Sequence, residues 1–424
     1  MRVKILVLGS GAREHAIVDA LLAEDAGHEI TAAPGNAGIA AQVETVGLDA
    51  SNGKIVTQYA LDNGIELVVI GPEAPLVAGV ADALRAQGVP VFGPGKAAAA
   101  LEGSKAFAKR IMENADVPTG RAIRTTTRDE LVAALDQLGA PHVVKADGLA
   151  AGKGVLVTDD RDAAITHGEY YLQHGPVLVE EFLSGQEVSL FFLADGHDVV
   201  PLSPAQDYKR ALDGDAGPNT GGMGAYSPLP WLADRWGAEA AFVDEVLDTI
   251  ALPTVRALEA EGTPFVGLLY CGLIITDAGI RVIEFNARFG DPETQVVLPR
   301  LVTPLSQLLY AAATGALGRM PYPAFSDDAA VIVVLASEGY PENPITGREI
   351  TGLEEAAQVP GVSILHAGTA VSDGRFLATG GRVLGVVGRG DDFRAAREAA
   401  YAALGRIRLE GGHYRHDIAE RVVR

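Results

Sequence analysis

Over the first hundred positions, short apolar runs closed by glycine or proline alternate with stretches whose apolar residues recur at helical spacing. Residues 3–8 are mostly apolar and run into Gly9-Ser10-Gly11, and a helical pattern then passes through Ala16, Ile17, Ala20 and Leu21. Residues 66–70 form a second run, ended by Gly71-Pro72, and residues 89–92 a third, ended by Gly93-Pro94. Strands that alternate with helices predict a parallel sheet covered on both faces. Ligands of such sheets sit beyond the strands' carboxyl ends. The turns at 9–13, 33–36, 71–75 and 93–95 belong at that edge.

A helix is expected over 97–113, broken by Asp116-Val117-Pro118-Thr119-Gly120. A small α/β unit follows, to about residue 195. It has a strand over 142–145, a glycine-rich turn to Gly154, a strand over 155–158, a helix, and a strand over 177–182. Residues 196–315 mix strands with a polar, glycine-rich loop at 213–224. Runs near 268–275 and 280–285 read as a hairpin turned at Asp277-Ala278-Gly279. A last α/β portion has strands near 329–336 and 382–387. The fold class is multidomain α/β and α+β, divided at 1–101, 102–324 and 325–424.

Composition narrows the setting. The longest clear apolar run, Ala329 to Ala336, is eight residues, short of the ~18 a membrane helix needs. The N-terminus lacks the apolar region and cleavage site of a signal peptide. Cys271 is the sole cysteine, which leaves no intrachain disulfide and no cysteine zinc site. The expectation is a cytoplasmic protein without membrane or required protein partner. A net charge of −21 argues against a nucleic-acid surface. Eight of the 34 basic residues are lysines, and none follows Lys209. An acidic, lysine-poor surface suits work in very high salt, where self-repulsion is screened; full activity in dilute buffer would refute this hypothesis. Lys105, Lys145, Lys153 and Lys209 nevertheless fall inside motifs, which implies a task for each.

Gly9-Ser10-Gly11-Ala12-Arg13-Glu14 follows a strand and opens a helix. It nearly matches the dinucleotide fingerprint, but Glu14 replaces the third glycine and adds negative charge where a pyrophosphate would lie. A single phosphate at the helix N-terminus is the better ligand, with a purely structural turn as the alternative. The stretch 143–155 is a strand ending in Lys145, then Gly148, Gly152, Lys153 and Gly154 leading into a second strand. It is not a Walker loop: three residues separate Gly148 from Gly152, and Gly154 stands where Ser or Thr should follow the lysine. Its ammonium and backbone N–H groups could cover a triphosphate as a flap; a glycine-rich hairpin with a solvated lysine is the bland reading. Glu180, Glu181 and Glu187 flank a turn after a strand, a weak signal in an acidic chain. Glu284 and Asn286 lie two apart on a strand and so share a face. Two oxygen ligands on one face suit Mg²⁺, which takes phosphates and water for the rest. Arg288, on the same alternation, could grip a carboxylate or phosphate bidentately; a polar strand face is the alternative.

With these pieces assembled, the sequence resembles the phosphoribosylamine–glycine ligase family of ATP-grasp enzymes over almost its full length. The matching segments run in family order: 9–16, 33–38, 71–76, 101–107, 144–155, 180–187, 217–228, 284–295, 366–369 and 380–384. The resemblance implies a Rossmann-like N-terminal domain and an ATP-grasp domain with a mobile small lobe at about 119–190. A C-terminal domain follows. Lys105 and Lys145 would contact phosphates, with Gly148, Gly152, Lys153 and Gly154 in the flap. Glu181 and Leu183 would offer backbone to adenine, and Glu187 would hold the ribose. Glu284 and Asn286 would hold Mg²⁺ or Mn²⁺. The further carboxylate many such enzymes carry thirteen residues earlier falls here on Cys271, so two protein ligands are expected.

The implied reaction joins glycine to 5-phosphoribosylamine through glycyl phosphate, with Lys145 and Arg288 steadying the charge. The turns with Gly9, Gly11 and Arg13 and with Pro34, Gly35 and Asn36 would take the ribose 5-phosphate, helped by Glu73. Asp213, Asn219, Thr220, Gly221, Gly222 and Asp291 are the residues for the glycine or amine end. Another ATP-grasp carboxylate–amine ligase, an NAD-linked oxidoreductase and a non-catalytic nucleotide-binding regulator are the competing readings.

Overall fold

A computed structural model describes residues 2–148 and 154–423. Strands β1 (Lys4–Gly9), β2 (Glu29–Pro34), β3 (Glu44–Thr45), β4 (Leu67–Ile70) and β5 (Val91–Phe92) form a parallel sheet in the order β3-β2-β1-β4-β5. Every residue of β4 is buried, as a central parallel strand with both faces covered requires. Gly9 pairs with Pro34 and Leu8 with Ile70, so the turns after β1, β2 and β4 leave the sheet at one edge.

The expected helix over 97–113 is two helices, Lys96–Gly103 and Lys105–Asn114. Ser104 between them is extended, and its hydroxyl accepts the Phe107 N–H at 3.2 Å, as an N-cap does. The small unit is an antiparallel sheet of β6 (Ala122–Thr125), β7 (His142–Ala146), β8 (Val155–Thr158) and β9 (Val177–Glu180), in the order β6-β9-β7-β8. β9 stops at Glu180, two residues short of the expected end. Helices Arg128–Leu138 and Arg161–Leu172 cover the sheet and give it a core of its own, around Leu131, Leu135, Val144 and Val179.

The larger lobe is built on β10 (Gln186–Asp195), β11 (Val199–Pro201), β16 (Val266–Thr276) and β17 (Gly279–Asn286), in the order β11-β10-β16-β17. The hairpin expected at 277–279 is the β16–β17 pair. The two lobes meet where Pro118 and Thr119 run along β17: the Val282 N–H donates to Pro118 O at 2.8 Å, and Thr119 Oγ1 to Val282 O at 2.7 Å. This lobe also carries a long helical stretch not expected from the sequence, Glu239–Val246, Leu247–Ala251 and Leu252–Ala260, the middle part a wide π turn just before Pro253.

The expected loop at 213–224 is in large part a hairpin, β13 (Arg210–Leu212) with β14 (Ala216–Asn219). Gly224 opens β15 (Gly224–Ser227), a buried strand. With β12 (Gln206–Asp207), β15 joins β18 (Ala329–Ala336), β20 (Val362–His366) and β23 (Arg382–Gly390) in the order β12-β15-β18-β23-β20. Main-chain pairing therefore crosses the division expected at residue 325. The chain's last sheet runs β21 (Thr369–Ser372), β22 (Arg375–Ala378), β19 (Glu349–Thr351), β24 (Arg408–Leu409). Among the described residues, no helix is long and apolar enough to cross a membrane.

Candidate functional site

Lys145 is the next-to-last residue of β7 and points out of the small lobe toward the large one. Its Nζ donates to Glu180 Oε2 at 3.1 Å and reaches Ile283 O at 3.5 Å, one residue before Glu284. Lys105, first residue of its helix, donates to Gly148 O at 3.2 Å. Lys209 Nζ pairs with Glu187 at 3.1 Å and lies 4.0 Å from Glu284. Burial by itself would raise the Glu284 carboxyl, but Lys209, Lys145, Lys105 and Arg288 together hold it below the usual carboxylate range. Cations from four separate stretches of the chain thus surround one carboxylate.

Glu284 stands opposite Gly272, and Asn286 opposite Tyr270. Directly paired residues share a sheet face, so both oxygens lie on the side that carries the lysines. The Glu284 side chain is 39% exposed. Two accessible oxygens on one face fit Mg²⁺ or Mn²⁺ completed by phosphate and water. Cys271 pairs with Phe285 on the opposite face and is wholly buried; burial pushes its thiol up. It cannot serve as a ligand there. Among the described residues, no group of three or more His, Cys, Asp or Glu is placed to hold a metal.

At the turn after β9, Glu181 donates its N–H to Arg121 O at 3.0 Å, while its carbonyl and the Leu183 N–H have no partner among the described residues. These are the acceptor and donor an adenine edge needs. Gly148 and Gly154 bound the glycine-rich turn; Gly152 and Lys153 lie outside the described residues.

A second cluster lies at the carboxyl edge of the parallel sheet. Glu14 is 1% exposed, takes the Gly11 N–H at 2.6 Å and pairs with Arg13 Nε at 2.6 Å. Its carboxylate fills the space over Gly9 and Gly71, so a side chain at either glycine would collide with it. The free N–H expected at Gly11 is therefore taken from within, and the place of a dinucleotide's pyrophosphate holds a carboxylate. Arg13 turns inward and also donates to Phe289 O at 3.2 Å. Asn36 is fully engaged: its amide donates to Ser10 O at 2.9 Å and His366 O at 2.7 Å, and its oxygen caps Gly38 and Ile39. Gly35 donates to Gly9 O at 3.1 Å, which holds the Pro34 turn against the first one.

The segment after β17 ties the two clusters together. Arg288 pairs with Glu102 at 3.0 Å and lies 3.5 Å from Glu73. Glu102 also accepts the Ala287 N–H at 2.7 Å. Asp291 pairs with Arg382 at 2.9 Å, and Arg382 donates to Gly221 O at 2.7 Å. Burial would raise the Asp291 carboxyl, but Arg382 and then Arg13 hold it below the usual range. Gly222, with φ of 113°, packs on Pro292, which leaves no room for a Cβ. Thr220 donates its N–H and hydroxyl to Lys209 O at 2.7 and 2.9 Å, and Asn219 pairs with Arg210.

Asp213 does not join either cluster. Its carboxylate accepts the His416 N–H at 2.7 Å and meets that imidazole at 3.1 Å, 203 residues along the chain. The sequence reading assigned no role to Glu102 or Arg382, although both lie in matching segments. It also passed over Lys109, which follows Lys105 by one helical turn and is one of only eight lysines. Ser189 and Tyr270 were missed as well: Glu293 Oε1 accepts both hydroxyls, at 3.0 and 2.8 Å. Asp207 has its carboxyl pushed up to about 7 by burial, against the pull of Lys209.

Comparison with known proteins gives a consistent result. Three family models match consecutive stretches: the N domain of phosphoribosylglycinamide synthetase over residues 3–102, its ATP-grasp (A) domain over 103–294 and its C domain over 330–421. The phosphoribosylamine–glycine ligase of Leifsonia xyli subsp. xyli is 70% identical over 421 residues, 99% of this chain and 100% of that protein. A crystal structure of the Thermotoga maritima phosphoribosylamine–glycine ligase superposes with a TM-score of 0.83 at 35% identity, covering 98% of this chain and 100% of the other. The biotin carboxylase domain of the Hydrogenobacter thermophilus 2-oxoglutarate carboxylase, solved with Mg-ADP and bicarbonate, has a TM-score of 0.68 at 16% identity, over 98% of this chain and 92% of that one; this likeness is one of fold.

Proposed function

The chain belongs to the phosphoribosylglycinamide synthetase family, and from that premise we infer that it joins glycine to 5-phosphoribosylamine. ATP is converted to ADP and phosphate, and the product is glycinamide ribonucleotide, an intermediate of purine biosynthesis. The observation that carries the reading is the meeting of Lys145, from the small lobe, with the backbone beside Glu284 on the large one. We place the reaction in the cytoplasm, without a protein partner. We also retain the division at residues 1–101, 102–324 and 325–424, with a small lobe at about 119–190 that moves over the nucleotide.

Glycine's carboxylate is a poor electrophile because its charge is delocalised and oxide is a poor leaving group. Transfer of the γ-phosphoryl group to a carboxylate oxygen gives glycyl phosphate, which carries a good leaving group. The amine of phosphoribosylamine then attacks the acyl carbon, and phosphate departs as the amide forms. In this reading Lys105 and Lys145 bind the phosphates, and Arg288 swings from Glu102 and Glu73 toward the transferring group. Gly148 and Gly154 would bound the flap that excludes water, with Gly152 and Lys153 between them in sequence. Glu181 and Leu183 present backbone to adenine, and Glu187 takes the ribose hydroxyls. Glu284 and Asn286 would hold Mg²⁺ or Mn²⁺, which when bound neutralises phosphate charge.

The ribose 5-phosphate lies along the turns with Gly9, Gly11, Arg13, Pro34, Gly35 and Asn36, near Glu73, with Arg382 as a cation at the same wall. Asn219, Thr220, Gly221, Gly222 and Asp291 line the glycine or amine end. Asp213 would reach it only by leaving His416, and Asp213→Ala tests this: unchanged Michaelis constants for both substrates remove it from the site. The reaction is tested by ADP release that depends on both glycine and phosphoribosylamine; release with neither would overturn the reading.

A further inference from the structure

Lys109 reaches the same carboxylate oxygen as Lys145. Its Nζ lies 3.2 Å from Glu180 Oε2, and Lys145 Nζ 3.1 Å from that atom. The other two Lys109 bonds go to Thr119 Oγ1 at 2.9 Å and Gly120 O at 3.0 Å. An ammonium has three protons, and Lys109 has three partners, two by hydrogen bond and Glu180 by ion pair. Among the described residues Lys145 has only Glu180 and the long 3.5 Å contact to Ile283 O. Of two lysines on one acid, one has three partners and the other, among the described residues, has two. All three side chains are well enclosed, at 15%, 7% and 7% exposure.

Lys109 also acts on the lobe junction. Thr119 and Gly120 are the residues through which the chain passes from the ladder on β17 into the small lobe. A Cβ on Gly120 would meet the Glu181 and Leu183 side chains at 3.3 and 3.4 Å, so this corner backs the adenine-facing turn. One ammonium thus ties together a helix of the large lobe, the crossing strand and the acid at the end of β9.

We propose that Lys109 is a positioning residue for the nucleotide, holding Glu180 and the 119–120 corner so that Lys145 stays available to the triphosphate. With Lys109 gone, Glu180 would bind Lys145 undivided, and ATP phosphates would have to compete with a buried carboxylate for it. This rests on the reading of Lys145 as a phosphate contact.

The test is glycine-dependent ADP release by the full chain carrying Lys109→Met, Lys109→Arg or Lys145→Met. Lys109→Met is expected to raise the KM for ATP about tenfold or more while those for glycine and phosphoribosylamine stay within about twofold. Lys109→Arg, which keeps the charge on Glu180, is expected to recover most of that. Equal changes in all three constants, or an unchanged KM for ATP, would overturn the proposal. If Lys109→Met does not fold, Lys109→Gln, which keeps hydrogen bonding to Thr119 and Gly120 without the charge, is judged by the same criteria. An unaffected KM for ATP in Lys145→Met would instead remove the underlying reading; a raised one beside a normal Lys109→Met would remove only this proposal.

Discussion

Replacing Glu284 by Gln keeps its shape and removes the charge that Lys209, Lys145 and Lys105 surround. Glycine-dependent ADP release should fall by about 100-fold or more, with a higher Mg²⁺ requirement in a metal titration. Gly222→Ala should also be severe, because an L side chain is strained at φ of 113° and would strike Pro292. A loss of about 2–4 kcal/mol in urea unfolding, beyond a simple glycine effect, is expected. Lys145, Glu284 and Asn286 stood out as candidates in the sequence because residue type and local spacing suffice to put an ammonium near a strand end or two oxygens on one face, whereas Lys105 and Glu187 took their roles from the resemblance. The Asp213 partner was not, since nothing near residue 213 announces His416. Glu102 and Arg382 were invisible for a related reason: each acts across the fold, on Arg288 and on Asp291, and no periodicity encodes that.

The strand pattern was read well where one apolar run made one element, as in β1, β4 and β18. It failed where two signals overlapped. Gly103-Ser104 inside a continuous helical pattern is a stop and a start, and Ser104 adds a hydroxyl bond to Asp147 at 3.1 Å. Ser104→Ala should cost about 1 kcal/mol in chemical denaturation. The helical stretch over 239–260 was not read; in it Pro253 stands in the first turn of its last helix, where a missing N–H costs little, right after the wide turn. β15, at the end of the polar loop, was not read because only four residues carry it and one of its two partners, β18, is about a hundred residues away.

At the scale of the molecule, the first and last domains meet through two imidazoles. The His366 backbone N–H donates to His15 Nδ1 at 2.9 Å, and the two rings lie 5.8 Å apart. Burial pushes each ring down to about 4, and pushes the neighbouring Asp19 carboxyl up to about 6. An unfolded imidazole binds a proton near 6.5 that the folded one refuses until about 4, so this stability is complete above 6.5 and is lost as pH falls toward 4. Asp19, protonated in the fold up to about 6, gains as pH falls and offsets part of the loss. These three groups contribute a loss on the order of 2–3 kcal/mol between pH 7 and 5, against a gain from Asp207. Urea titrations should show stability falling less, or rising more, over that window in His15→Gln than in the wild type. The charge of −21 adds a salt dependence: the unfolding midpoint should climb as KCl rises from about 0.05 to about 1 M.

The sheet shared by β12, β15 and β18 has a consequence for how this enzyme can be divided. A fragment that ends before β18 would leave the Gly224–Ser227 strand as a bare edge with its ladder of N–H and C=O groups unmet. Such a piece is expected to aggregate on expression. Limited proteolysis near 325 should leave two fragments that still co-elute, because the cut chain remains stitched through its own backbone.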